Sequence, residues 1–230
     1  MLLRALCELD FDIMDVIHKE VQYYAEKHTS EESALLKRIN RETNAQVLMP
    51  RMLSGHLQGR VLSMISCMIR PRMILEIGTY TGYSALCMAE GLAENGKLIT
   101  IDINEELKDR VNGYFIEANL QNKIDYRIGN ATDIIPTLTD RFDLVFIDAD
   151  KENYARYFDM VIDRVNLNGF ILADNVLWSG KVLQEKPDKD TRSIVDFNAK
   201  VQRDSRVENV LLPIRDGIML MRKVRETVDN

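Results

Sequence analysis

The stretch MILEIGTYTGYS, residues 73–84, decides the fold. Its first five residues form an apolar run interrupted by one acid, too short for a helix and right for a strand. Gly78 and Gly82 then allow a tight turn before residues 84–94, which are helical in period. The same rhythm recurs downstream. Short apolar runs at 98–101, 124–128, 144–147 and 170–173 alternate with amphipathic segments near 105–120, 153–165 and 191–204. Five such alternations predict a parallel sheet covered by helices on both faces. The tail departs from the pattern, since 207–214 and 218–224 flank Arg215-Asp216-Gly217, a hairpin signal. The expected fold class is α/β, a doubly wound and mostly parallel sheet closed by an antiparallel C-terminal hairpin.

Upstream of this core the chain reads as helices. Phe11, Met14, Ile17 and Val21 recur at helical spacing, as do Leu35, Leu36 and Ile39 after Thr29-Ser30-Glu31-Glu32, which has the form of a capping box. A third helix is expected over about residues 54–68. No Gly/Ser-rich linker follows, so residues 1–230 are expected to form one domain, a helical extension over 1–70 on a core over 71–230.

Composition excludes classes without naming a function. Of 230 residues 46% are hydrophobic, too many for a disordered chain. Lys and Arg total 30 against 36 Asp and Glu, and the net charge of -6 argues against a nucleic-acid binder that neutralises phosphates. Cys7, Cys67 and Cys87 form no CxxC pair, so neither a zinc framework nor a disulfide scaffold is expected, and a reducing cytoplasmic location is. The first residues meet acids within ten positions, which fits neither a secretory leader nor a membrane span.

In doubly wound sheets, ligands bind at the carboxyl ends of the strands. Asp102 ends the second strand, placed to accept ribose hydroxyls, with helix capping as the plainer role and Asn104 able to cap instead. The fourth and fifth strands end in FIDADKENY (residues 146–154) and ADNVLW (residues 173–178). Asp148, Asp174 and Asn175 there form a set of hard oxygen donors suited to Mg²⁺, Mn²⁺ or Ca²⁺, whereas Asp150 suits a cap. No His or Cys lies nearby in sequence, which disfavours zinc. From its spacing alone Lys151 reads as a charge partner of Asp148 or Asp150, or as a solvated helix lysine, ahead of any catalytic role. Residues 180–192, GKVLQEKPDKDTR, read as a polar surface loop beside the mouth of the site.

LEIGTYTGYS, then Asp102, GNATDIIP (residues 129–136), FIDADKENY and ADNVLW resemble, in that order, the metal-dependent S-adenosylmethionine O-methyltransferases of the caffeoyl-coenzyme A and catechol type. MLSGHLQG, residues 52–59, is similar to the segment preceding the first strand in that family. The resemblance implies a Rossmann-like methyltransferase sheet and an enzyme moving a methyl from S-adenosylmethionine to a hydroxyl of a small catechol-like or caffeoyl-type aromatic. It implies that Ser54, Glu76, Gly78, Tyr80, Ser84, Asp102, Ile103, Asn130, Ala131, Asp148 and Tyr157 surround the cofactor. It also implies that Asp148, Asp174 and Asn175 hold a divalent cation, usually Mg²⁺, that Lys151 is the catalytic base, and that Lys151 and Trp178 meet the acceptor. Where some relatives carry an acid at position 130, this chain has Asn, whose amide oxygen can also accept a hydrogen bond. For Trp178 a core role is an equal reading, and for Tyr157 packing is the commoner one. A homodimer is implied by the resemblance alone; neither nucleic acid nor membrane is expected as a partner. Two rival readings are a cofactor-binding module without this activity and a methyltransferase for a non-catechol acceptor.

Overall fold

The structure is a computed structural model that describes residues 17–227. Among the described residues three α-helices, α1 (Lys19–Lys27), α2 (Ala34–Gln46) and α3 (Gly55–Ile69), precede the sheet. Then follow β1 (Met73–Ile77), α4 (Tyr83–Ala89), β2 (Lys97–Asp102), α5 (Lys108–Glu117), β3 (Ile124–Ile128) and the short α6 (Ala131–Ile134). The chain continues through β4 (Phe142–Ile147), α7 (Tyr154–Ile162), β5 (Val165–Asp174), α8 (Lys189–Arg203), β6 (Val207–Leu212) and β7 (Ile218–Lys223). The seven strands lie in the order β3-β2-β1-β4-β5-β7-β6. All pairings from β3 to β5 are parallel, and β7 pairs antiparallel with both β5 and β6. The expected doubly wound sheet with its antiparallel hairpin is therefore present, with β7 inside the sheet and β6 outermost.

Period-two alternation explains the layers. Leu75, Ile77, Val145, Ile147 and Ile171 face one core with Ile135, Phe158, Ile162, Ile194 and Phe197, the side of α7 and α8. Ile74, Leu98, Leu144, Phe146 and Leu172 face the other with Leu36, Ile39, Leu62, Tyr83 and Phe115, the side of α2 to α5. Both faces of the central strands β1, β2 and β4 are buried, which is why these strands read as nearly continuous apolar runs. Each fully buried Leu or Ile contributes about 1.5–3 kcal/mol relative to exposure.

Several local expectations are corrected. The cap of α2 is Ser33, whose Oγ accepts from Leu36 N at 3.2 Å, and not the Thr29–Glu32 box. Thr29 instead donates its hydroxyl to Ala25 O, closing α1. Ser33 wins because it directly precedes the apolar turn. The 180–192 loop is shorter than read: a 3-10 turn runs Trp178–Leu183, and α8 begins at Lys189, capped by Asp188 on Thr191 N at 2.8 Å. The helical spacing at Phe11 and Met14 lies outside the described residues.

The strand order reverses between β1 and β4, so their carboxyl ends open a crevice. Gly78 has φ 104 and packs against the Asp148–Ala149 backbone so closely that a Cβ has no room. That contact sets the β1 and β4 tips side by side.

Candidate active site

Two groups of side chains meet at these tips. In the first, Glu76 is fully buried and accepts hydrogen bonds from Ser84 Oγ and Thr100 Oγ1, both at 2.5 Å. Burial, reinforced by Asp148 and Asp102, pushes its carboxyl up to about 8 against the pull of the two hydroxyls. Asp102 accepts from Tyr80 N at 2.6 Å through Oδ2 and from Asn104 N at 2.8 Å through Oδ1. Asn104 caps the following turn through Glu106 N, leaving Asp102 free of that duty. Tyr80, at φ 47, donates its phenol to Leu48 O at 3.0 Å, tying the segment before α3 to the β1–α4 turn. Ile103 beside Asp102 is 74% exposed, an apolar surface with nothing packed over it. Ser54 is buried at the start of α3 and Ala131 at the start of α6. Asn130 caps α6, and its Oδ1 accepts from both Thr132 N and Thr132 Oγ1 at 2.9 Å. The cap thus engages the amide oxygen that the sequence offered as a ligand acceptor.

The second group lies at the ends of β4 and β5. Lys151 Nζ is 3.2 Å from Asp148 Oδ1 and donates to Asn175 Oδ1 at 2.8 Å and to the Tyr154 hydroxyl. It also sits 5.9 Å from the centre of the Trp178 ring. Asn175 has φ 58, the left-handed conformation that an Asn tolerates, and this bends the chain out of β5. Asp174 is buried: Oδ2 accepts from Gln58 Nε2 at 2.6 Å, whereas Oδ1 is buried with no partner among the described residues. Burial first, and Asp148 second, push the Asp174 carboxyl up to about 6; Lys151, Gln58 and Arg215 oppose the shift. Trp178 is half-buried and its indole N–H has no partner among the described residues.

The structure thus brings Asp148, Lys151, Asp174, Asn175 and Trp178 together, and brings Glu76 to Ser84 and Tyr80 to Asp102. Tyr157 turns its hydroxyl to Asp150 at 2.6 Å. Asp150 also receives Asn153 Nδ2, an arrangement internal to the loop that starts α7.

Sequence reasoning missed Gln58, Arg215 and Tyr154. Arg215 Nη1 donates to Gln58 Oε1 at 3.0 Å and to Leu53 O at 3.1 Å. Tyr154 is fully buried and also donates toward Asp174 O at 3.1 Å. One signal was available: Gln58 is the polar member of an otherwise apolar helical stripe with Leu62 and Ile65.

Among the described residues no group of three or more His, Cys, Asp or Glu is placed to hold a metal ion. The Asp148, Asp174 and Asn175 set differs in kind, with two carboxylates and one amide. Asp174 Oδ1, buried and unpaired, is the atom that fits a cation best, since such an oxygen otherwise carries a desolvation cost of roughly 1–3 kcal/mol or more. The donors are all hard oxygens, matching Mg²⁺ or Mn²⁺. A groove of about 520 Å³ lined by Arg70, Arg72, Arg141 and Asp143 opens at the amino ends of β1, β4 and β5, away from these groups.

A family model described as O-methyltransferase matches residues 26–224. Tricin synthase 2 of Oryza sativa subsp. japonica is 36% identical over 180 residues, covering 73% of this chain and 62% of that protein, so this chain spans less than two thirds of its length. Caffeoyl-CoA O-methyltransferase of Medicago sativa is 34% identical over 182 residues, 73% of each chain. Among solved structures, a Podospora anserina methyltransferase bound to SAH superposes with TM-score 0.83 at 27% identity, covering 90% of this chain and 94% of that one. An O-methyltransferase from Bacillus cereus in complex with SAH gives 0.81 at 27% identity, with 89% and 97% covered.

Proposed function

The chain belongs to the O-methyltransferase family, and from that membership we propose that it methylates a hydroxyl of a small catechol-like or caffeoyl-type aromatic with the aid of a divalent cation. It is an S-adenosylmethionine-dependent O-methyltransferase of the caffeoyl-CoA type. The observation that carries the finer reading is the convergence on Lys151 Nζ of Asp148 Oδ1, Asn175 Oδ1 and the Tyr154 hydroxyl, beside the unpaired Asp174 Oδ1.

Asp102 would take the ribose hydroxyls of the cofactor, with Tyr80 and Gly78 shaping the turn beneath it. Glu76 and Ser84 would face its methionine end, and Ser54, Ile103, Asn130, Ala131 and Tyr157 would complete the enclosure. Asp148, Asp174 and Asn175 would hold the cation. When bound, the two groups supply an electrophilic methyl and Lewis-acid polarisation of the acceptor oxygens. Lys151, entering the step as the neutral amine beside the charge of the bound cation, would accept the hydroxyl proton at Nζ, an atom placed by Asp148, Asn175 and Tyr154. Trp178 would lie along the aromatic acceptor, and the half-buried setting would hold oxygen and methyl in line.

The test is transfer of labelled methyl from S-adenosylmethionine to caffeate, catechol and a monophenol, with and without EDTA. We expect transfer to the vicinal diols, its loss on chelation, its return with Mg²⁺, and a fall of about 10²–10⁴-fold in Lys151→Ala. Full turnover after thorough chelation would overturn the cation role. Equal transfer to the monophenol would overturn the acceptor class.

A further inference from the structure

We propose that Gln58, held by Arg215, is a positioning residue that aims Asp174 Oδ1 into the cation site, so that α3 and the β6–β7 turn act on the chemistry itself. The inference rests on the cation reading above.

The carboxylate of Asp174 has two oxygens with opposite fates. Oδ2 is taken by Gln58 Nε2 at 2.6 Å, while Oδ1 is buried with no hydrogen-bond partner among the described residues. A single hydrogen bond from a side chain that can rotate would fix the carboxylate poorly. Gln58 cannot rotate freely. It is 1% exposed, and its Oε1 accepts from Arg215 Nη1 at 3.0 Å. A guanidinium only donates, so it binds the amide oxygen and obliges the amide nitrogen to face Asp174. The orientation of the amide therefore follows from the network itself. Arg215 is anchored in turn, because the same Nη1 reaches Leu53 O at 3.1 Å and the residue sits at φ 51 in the turn before β7.

Backbone packing seats the amide. Gly59, next to Gln58, lies so close to α4 that a Cβ there would approach Tyr83 Cε1 to 2.6 Å and Cys87 Sγ to 2.9 Å. The glycine lets α3 settle against α4 and delivers Gln58 to a carboxylate 116 positions away in sequence. Groups that orient a ligating carboxylate typically alter metal affinity or activity by about 10–100-fold when removed.

The experiment is calorimetric titration of Mn²⁺ into the full chain, together with the paramagnetic resonance spectrum of bound Mn²⁺. Wild type is compared with Gln58→Leu, Arg215→Met and Arg215→Lys, and S-adenosylhomocysteine affinity and Tm are measured on each. We expect Gln58→Leu to weaken Mn²⁺ by about 10–100-fold and to change the resonance line shape, with S-adenosylhomocysteine affinity retained. Arg215→Met should weaken Mn²⁺ less, and Arg215→Lys, which keeps a donor, should recover part of that loss. Wild-type Mn²⁺ affinity and line shape in Gln58→Leu would overturn the positioning role and leave the cation reading standing. Failure of the wild type to bind Mn²⁺ would overturn both. If Gln58→Leu does not fold, the Arg215 pair decides: affinities equal to wild type in both Arg215 variants overturn the proposal.

Discussion

Glu76 shows how one buried carboxyl imposes a pH dependence on the whole chain. Unfolded, it ionises near its ordinary 4.5; folded, burial holds the proton up to about 8. Between those values the native state carries a proton the unfolded state has released, so stability falls as pH rises across the window. Asp174, raised to about 6, acts in the same direction over a narrower range. Glu76→Gln removes the larger effect, since an amide can still meet Ser84 and Thr100. Its Tm should match wild type near pH 5 and exceed it by several degrees near pH 8.5; melting curves that stay parallel across pH would contradict this. At this scale the acids at strand tips were legible in the sequence because strand ends are. Gln58 and Arg215 were not, since their meaning comes from partners 116 and 157 positions away.

At the scale of elements, the contact of α3 with α4 depends on Gly59. Gly59→Ala would force the helices apart or displace the Tyr83 ring, at a cost of about 1–3 kcal/mol. For a chain of this size that is a fall of roughly 2–12 °C in Tm, read by calorimetry, and an unchanged Tm would show that the pair has slack. Central strands were readable from apolar runs because they are buried on both faces. Ends were less so: β5 begins at Val165, five residues before the expected run, because Val165 pairs with Phe142 in spite of the polar Asn166 and Asn168. The cap of α2 and the turn inside the 180–192 segment were misread for a related reason, as both are chosen by local geometry among several eligible polar residues.

For the molecule as a whole, binding at the crevice should report on global stability. S-adenosylhomocysteine at a hundred times its Kd should add about 2.7 kcal/mol, roughly 5–10 °C in Tm for this length. A thermal shift assay that shows none would contradict the cofactor assignments at Glu76 and Asp102. The acidic excess that composition reports is largely unrelated to these roles, which rest on a few carboxylates at strand ends. The position of β7 carries a different implication, one about the order of synthesis. The strand between β5 and β6 is made after both of them, and Arg215 lies just before it. While β7 is still within the ribosome, the nascent chain presents an unpaired β5 edge, and its Gln58 has not met Arg215. Pairing of this kind closes late because its contacts are distant along the chain. A chain released early would therefore be left with an open strand edge, the kind of surface that favours aggregation. Completion of the sheet and completion of the site thus depend on the same stretch of chain, from Arg215 through β7.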